Sequence, residues 1–293
     1  MATDTAVPPA VPPSRPDASR PPPPVASRKA VRAVAAPRRL AMPRAIMALI
    51  LREMSTTYGR SPGGYIWAVV EPAAAIALFS FVISFITRSP ALGENFPLFF
   101  ASGMMTLTIY QDMAAKVGQA IRYSRQLLSY PTVTYVDAIL ARAILSLLTQ
   151  LMVSVVIIGG VVVIYDLNLR ISFGPVAAGV AMAAALGFSV GLVNCYLMAM
   201  FPLWQFIWAV LNRPMFIVSG VLYLIDPLPA GFRDALLLNP VAHAVMEVRR
   251  GIYSSYDAVF VSETYVYLFA LVAGTLGMLL LHRFHRIILD EGA

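Results

Sequence analysis

The sequence predicts an all-α integral membrane protein with six transmembrane helices, on two observations of composition and pattern. Hydrophobic residues make up 59% of the 293 positions, whereas charged residues make up only 13%. This charged share is about half of that found in soluble globular proteins. The apolar residues also fall in blocks of roughly 20, the helix length that crosses about 30 Å of hydrocarbon.

The first 42 residues are predicted to be a disordered, proline-rich cytoplasmic tail. Nine prolines occur in the first 24 positions. The segment lacks the apolar core of a secretory signal peptide, and it has too few apolar residues to fold alone. We therefore expect a solvated spacer with some polyproline II character.

Residues 43–60 are predicted to be an amphipathic helix at the membrane surface. Pro43 suits the first turn of a helix. The apolar positions that recur at helical spacing are Ile46, Leu49, Ile50, Met54 and Tyr58. Because the segment is short and also carries charges, it is expected to lie in the interface rather than to cross the membrane.

Residues 61–285 are interpreted as the six-span domain, and 286–293 as a cytoplasmic C-terminus. The predicted spans are Gly64–Ile86, Phe96–Ala115, Val136–Ile164, Phe173–Met200, Leu203–Ile225 and Thr264–His282. The third and fourth exceed one crossing, which indicates tilt or extension beyond the bilayer. Gly187 and Gly191 form a GxxxG pair that either allows close helix packing or is incidental.

The distribution of basic residues predicts that both termini are cytoplasmic. Ten of the 22 Lys and Arg residues lie in residues 1–63. With the predicted spans, fifteen fall on the side of the termini and five on the other side. Such an excess marks the cytoplasmic side. The net charge of +7 is therefore interpreted as a topology signal and not as a nucleic-acid-binding surface.

Catalytic, metal-binding and energy-supplying motifs are not found in the sequence. Neither Lys29 nor Lys116, the only lysines, belongs to a GxxxxGK[ST] phosphate loop. The spans also lack the several carboxylates of ion-coupled carriers, and the three histidines show no metal-ligand spacing. A transport subunit without a cofactor, driven by a separate ATPase, is the simplest interpretation. An integral-membrane enzyme, such as a polymerase of lipid-linked glycans, is the alternative from another class.

Three stretches carry a resemblance to a known family. Residues 51–72 contain LREM, YGRSPGGYIWA and EP, residues 213–221 read RPMFIVSGV, and residues 239–253 begin with NPVAH. In this order they resemble the permeases of ABC-2 type transporters, in particular those that export bacterial capsular polysaccharide. The resemblance covers about residues 43–285, which is nearly the whole chain except the proline-rich tail.

The resemblance implies a set of partners. It implies a dimer with a second copy and two copies of a cytoplasmic ATPase that binds Mg-ATP. The cargo would be a lipid-linked acidic polysaccharide that crosses the bacterial inner membrane, passed on by periplasmic and outer-membrane capsule export proteins. Export of O-antigen, of a teichoic-acid-type polymer or of a smaller hydrophobic compound by the same architecture is the alternative.

The connection between the second and third spans has the pattern of a short amphipathic helix. In the resembling family this place holds the coupling helix that docks on the ATPase. The candidate docking residues are Arg122, Tyr123, Arg125, Leu127, Leu128 and Tyr130. The alternative is a basic loop that only fixes topology.

Aromatic residues and one arginine are candidates for a sugar path. The candidates are Tyr65, Trp67, Tyr110, Trp204, Trp208 and Arg213. Aromatic faces pack on apolar faces of other rings, and Tyr and Trp also donate hydrogen bonds; interfacial belt positions are the alternative. Arg213 lies near mid-membrane, where a charge costs about 2.5–3.5 kcal/mol. It is expected either to contact anionic sugars or to form a structural pair.

The segment Asp226–Glu263 is predicted to form short re-entrant helices on the extracytoplasmic side. Its two apolar stretches, Phe232–Leu238 and Val241–Met246, are separated by Asn239 and Pro240. The candidate gate residues are Phe232, Asn239, Pro240, His243, Arg249 and Arg250. The two arginines would either guide an acidic polymer or pair with Glu247 or lipid headgroups.

Overall fold

The computed structural model describes residues 41–57, 64–128 and 134–290, and within them it is helical with no strand. The helices are α1 (Ala41–Thr57), α2 (Gly64–Ser84), α3 (Phe96–Gly118), α4 (Ala120–Leu128), α5 (Tyr135–Ile164), α6 (Phe173–Met200), α7 (Trp204–Asn212), α8 (Met215–Val218), α9 (Ala230–Leu237), α10 (Pro240–Ile252) and α11 (Glu263–Asp290). The predicted disordered tail lies outside the described residues except for its last two positions.

Four described helices are long and apolar enough to cross a membrane. The segments are Ile66–Ser84, Tyr135–Ile164, Phe173–Met200 and Glu263–Phe284, which belong to α2, α5, α6 and α11. The all-α membrane class is therefore confirmed. The helix α11 continues to Asp290 and so includes part of the predicted C-terminal segment 286–293.

The centre of the fold is α6, which packs against α3, α10 and α11. Glycines allow these close approaches. A Cβ atom on Gly187 would lie 2.7 Å from the Tyr110 carbonyl oxygen, and one on Gly191 would lie 2.7 Å from the Val117 Cβ. Both positions face α3, so the GxxxG pair has a packing role.

The helix α3 begins at the position predicted for the second span. Asn95 caps it by accepting a hydrogen bond from the Leu98 amide at 3.2 Å. Polar residues lie near its other end, where Lys116 pairs with Asp112 at 3.0 Å and Ser146 of α5 donates to the same carboxylate at 2.6 Å. These partly buried polar groups are therefore paired within the protein.

The predicted fifth span is not one continuous helix. Over Leu203–Ile225 the chain forms α7, then the four-residue helix α8, and then a turn. Pro214 lacks the amide hydrogen that a continuing helix needs. Gly220 has a φ of 70°, a left-handed conformation that glycine adopts without strain. These two residues explain the break.

The short helices predicted before the first span and after the fifth span are present. The helix predicted over 43–60 is formed over Ala41–Thr57 as α1, which packs on α5 and exposes Met47 and Leu51, whereas positions 58–60 lie outside the described residues. The two helices predicted after the fifth span are α9 and α10, and α10 extends to Ile252. Whether α1 lies on a membrane surface and α9 and α10 re-enter one stays a prediction.

Candidate functional site

Arg213 lies at the break between α7 and α8, and its side chain is exposed. Its amide donates to the Val210 carbonyl at 3.3 Å, which ends α7. Within the described ranges no acidic side chain pairs with Arg213, so the structural ion pair considered for this residue is not formed there. The guanidinium of Arg213 is therefore available to a group that does not belong to the described residues of this chain.

The candidate tryptophans of α7 face the protein instead. Trp204 donates from Nε1 to Asn194 Oδ1 of α6 at 2.9 Å, and Trp208 is half-buried on the same face, one turn later. Arg213 follows Phe206 by seven residues and so belongs to the opposite, exposed face. The structure therefore brings the two tryptophans together and separates them from Arg213.

The other path candidates lie on different helices. Tyr110 is only 2% exposed in the contact between α3 and α6, whereas Trp67 of α2 is 65% exposed. The backbone of Tyr65 is in α2, but its side chain lies outside the described residues. Tyr110 therefore lies inside the fold and Trp67 on its surface, and the role of these three residues as a sugar path stays a prediction.

Arg249 occupies the interior of the turn that follows α8. Its guanidinium donates to the carbonyl oxygens of Gly220 at 2.7 Å, Val221 at 2.7 Å and Tyr223 at 3.1 Å. The guanidinium also lies 4.1 Å from the centre of the Phe99 ring, a favourable cation–π distance. Because Arg249 is fully buried, it satisfies carbonyls that the broken helix leaves unpaired and does not present its charge to solvent.

Asn239 and Pro240 begin α10 and connect it to the break. The Asn239 side chain accepts from the Val241 amide and donates to Ser219 Oγ, each at 3.1 Å. Pro240 occupies the first helical position, where no amide hydrogen is needed. These contacts fix the start of α10 against the end of α8.

His243 has both ring nitrogens engaged. Nε2 donates to the Leu237 carbonyl at 2.9 Å, and Nδ1 accepts from the Ser262 amide at 3.2 Å. Burial lowers the pKa of His243 below its ordinary value. The ring is therefore neutral near pH 7 and joins α9, α10 and the start of α11.

Arg250 and Phe232 are the accessible members of the predicted gate. Arg250 is partly exposed and pairs with the fully buried Glu247 at 2.6 Å, as one of the predicted alternatives had it. Burial raises the pKa of Glu247, which Arg250 opposes. Phe232 is exposed on α9. Hence Arg249 and His243 contribute contacts inside the fold, whereas Arg250 and Phe232 are on its surface.

All of the predicted docking residues except Tyr130 lie on α4, which is nine residues long. Arg122 and Tyr123 are exposed. Arg125, Leu127 and Leu128 belong to the helix, but their side chains lie outside the described residues, as does all of Tyr130. Docking by this helix stays a prediction.

An ion pair beside α4 was missed by the sequence interpretation. Arg142 Nε of α5 donates to Glu53 Oε1 of α1 at 3.0 Å, and both side chains are 9% exposed. The signal was an arginine within an apolar span, which requires a partner. Sequence distance hid that partner, because 89 positions separate the two residues.

Residues 44–253 match the family ABC-2 type transporter. The chain is also similar to the polysialic acid transport protein KpsM of Escherichia coli, with 26% identity over 235 residues that cover 80% of this chain and 91% of the relative. Identity to the capsule polysaccharide export inner-membrane protein CtrC of Neisseria meningitidis serogroup B is 25%, covering 83% and 92%. Identity to the protein BexB of Haemophilus influenzae, which has the same description, is 22%, covering 83% and 92%.

Proposed function

Because this chain belongs to the ABC-2 type transporter family, we propose that it is the channel-forming permease of a capsule exporter. It moves a lipid-linked acidic capsular polysaccharide across the bacterial inner membrane. The observation that carries this proposal is the similarity to three export proteins over most of both chains. Two of them are described as capsule polysaccharide export proteins and one as a polysialic acid transport protein.

A separate ATPase supplies the energy. The sequence contains no GxxxxGK[ST] loop that would hold nucleotide phosphates. Two copies of a cytoplasmic ATPase, each with its own Mg-ATP, dock on α4 of two permease copies. The exposed Arg122 and Tyr123 on this helix support such a docking surface.

The polysaccharide path lies between two copies of the chain. The exposed face of α7 ends in Arg213, which has no acidic partner in the described ranges. A cation in a membrane protein is favoured where it faces water, a partner or a ligand rather than lipid. A second copy facing α7 would enclose the arginine in a path for an anionic polymer.

The topology consistent with this function has six crossings and two cytoplasmic termini. The helix α3 supplies the second crossing and the broken segment of α7 and α8 supplies the fifth. The helices α9 and α10 re-enter the outer leaflet as an extracytoplasmic gate. Periplasmic and outer-membrane export proteins then receive the polymer.

Deletion of the gene with chemical analysis of the glycan tests the function. We expect surface polysaccharide to be lost and lipid-linked polymer to accumulate inside the cell, with both effects reversed by the wild-type gene. Absence of polymer from the whole cell would contradict transport and favour a polymerase. Retained O-antigen in place of capsule would contradict the proposed cargo.

A further inference from the structure

Adjacent side chains on α4 reach two other parts of the fold. Arg122 donates from Nη1 to Gln205 Oε1 of α7 at 3.0 Å. The ring of Tyr123 lies 4.3 Å from Arg142 Cζ of α5. One turn of the predicted docking helix therefore contacts both α7, which carries the path candidates, and a buried arginine.

The contact at Arg142 continues to a third helix. Its Nε donates to Glu53 Oε1 of α1 at 3.0 Å. Tyr123, Arg142 and Glu53 thus connect α4, α5 and α1 without a gap, and we name these three residues the arginine junction. Both charged members are buried at 9% exposure, which screens them little from each other.

The arginine junction is not filled as a static core contact would be. A void of about 10 Å³ lies among α1, α4 and α5 and is lined by all three junction residues; this is room for about one water. Arg142 Nη1 is buried with no hydrogen-bond partner in the described part of the chain. A guanidinium with an unused donor beside a void can exchange partners through a small displacement of α4.

A buried ion pair by itself also adds little to the stability of the folded state. The desolvation of two charges offsets much of their attraction, and apolar residues of similar size often stabilise as well. An ion pair between two helices that move can, however, adopt two distinct arrangements, one with the pair formed and one with it broken. This property suits a junction between a docking helix and the helices behind it.

We propose that Arg142 is a positioning residue that transmits displacement of α4 to α1 and α5. The proposal rests on the proposed function, because an ATPase must dock on α4 to displace it. When α4 moves, Tyr123 and Arg142 carry the displacement to Glu53, while Arg122 and Gln205 carry it to α7. Hydrolysis is thereby linked to rearrangement at the surface helix and at the predicted path.

The test uses the complete exporter in membrane vesicles, with three readouts for Arg142→Met and Glu53→Gln. These readouts are co-purification of the ATPase, the rate of ATP hydrolysis, and polysaccharide exported per ATP hydrolysed. We expect assembly and hydrolysis to persist while export per ATP falls by about ten-fold, because each change removes the ion pair that joins α5 to α1. The double variant is expected to be no worse than the worse single variant, since coupled residues are not additive.

Two further variants separate transmission from a structural role. Arg142→Lys keeps a cation near both partners and is expected to restore most of the export per ATP. Tyr123→Leu buries no new charge and keeps an apolar side chain on the docking surface, so the ATPase should still bind. Export per ATP should fall, because the contact of the Tyr123 ring with Arg142 is lost. Glu94→Gln, which removes an exposed carboxylate from the segment before α3, is the control and should leave the ratio unchanged.

Each result that differs from these expectations has a single interpretation. Wild-type export per ATP in Tyr123→Leu or in Arg142→Met overturns the proposal. Loss of assembly in both of these variants, or additive effects in the double variant, overturns it in favour of a structural role. If the wild-type chain neither binds an ATPase nor exports polymer, the proposed function fails, independently of the arginine junction.

Discussion

Arg213 and Arg249 serve the two sides of one break in opposite ways. Arg213 lies between α7 and α8, exposed and without an acidic partner in the described ranges. Arg249 comes from α10, is fully buried, and donates to three carbonyls of the turn after α8. At one side of the break an arginine thus binds the protein's own backbone, whereas at the other side an arginine remains available to a ligand.

The difference follows from which groups the break leaves unpaired. A turn within the protein exposes carbonyl oxygens that must find donors, since buried backbone groups are almost always paired. Arg249 supplies those donors in a fixed planar fork, and Gly103 leaves it space, because a Cβ there would lie 2.8 Å from Arg249 Nη2. Among the described residues no carbonyl oxygen accepts a hydrogen bond from the Arg213 side chain. Charge type alone therefore does not identify a ligand-binding arginine.

The largest expected effect is on stability when Arg249 is replaced by leucine. The change removes hydrogen bonds to three carbonyls, and each buried unsatisfied group costs about 1–3 kcal/mol. We expect a loss of about 3 kcal/mol or more, measured as a lower midpoint of heat unfolding in detergent. Arg213→Leu is the matched control and should change stability by less than about 0.5 kcal/mol. Equal losses in the two variants would remove the distinction between them.

In the second prediction the replaced arginine is Arg213, and the quantity that changes is export instead of stability. Arg213→Ala should lower export by about ten-fold, which corresponds to about 1.4 kcal/mol, because the exposed cation that we propose to face the polymer is lost. Assembly with the ATPase and the unfolding midpoint should stay unchanged. Arg213→Lys retains the charge and should export more than Arg213→Ala. Normal export by the alanine variant would exclude a path role for this arginine.

The smallest expected effect concerns the contact that holds α10 beside the break. Asn239→Ala removes the cap on the Val241 amide and the bond to Ser219 Oγ. Loss of such a cap costs about 1 kcal/mol, so the unfolding midpoint should fall by less than in Arg249→Leu. Asn239→Asp keeps the accepting oxygen and should lose less than the alanine variant. A loss as large as that of Arg249→Leu would contradict this order and show that Asn239 secures the turn as strongly as Arg249 does.

Local patterns in the chain determined several features in advance. Apolar blocks indicated α2, α5, α6 and α11, and the interruption at Asn239 and Pro240 indicated two short helices where α9 and α10 are found. The family followed from short motifs within residues 44–253. The helix positions depend on composition, helical period and the absence of an amide hydrogen in proline, all of which are properties of neighbouring residues, whereas the family came from the resemblance of those motifs.

The tertiary structure alone decided the long-range partners of Arg142 and Arg249. The partner of Arg142 lies 89 positions away, and the nearest carbonyl bound by Arg249 lies 26 positions away. Tyr110, a path candidate by residue type, is buried because Gly187 lets α3 approach α6. Burial and pairing depend on which helices meet, and a helical period specifies a face without specifying what covers it. For this reason the membrane class followed from the sequence, whereas the separate roles of Arg142, Arg213 and Arg249 needed the packed chain.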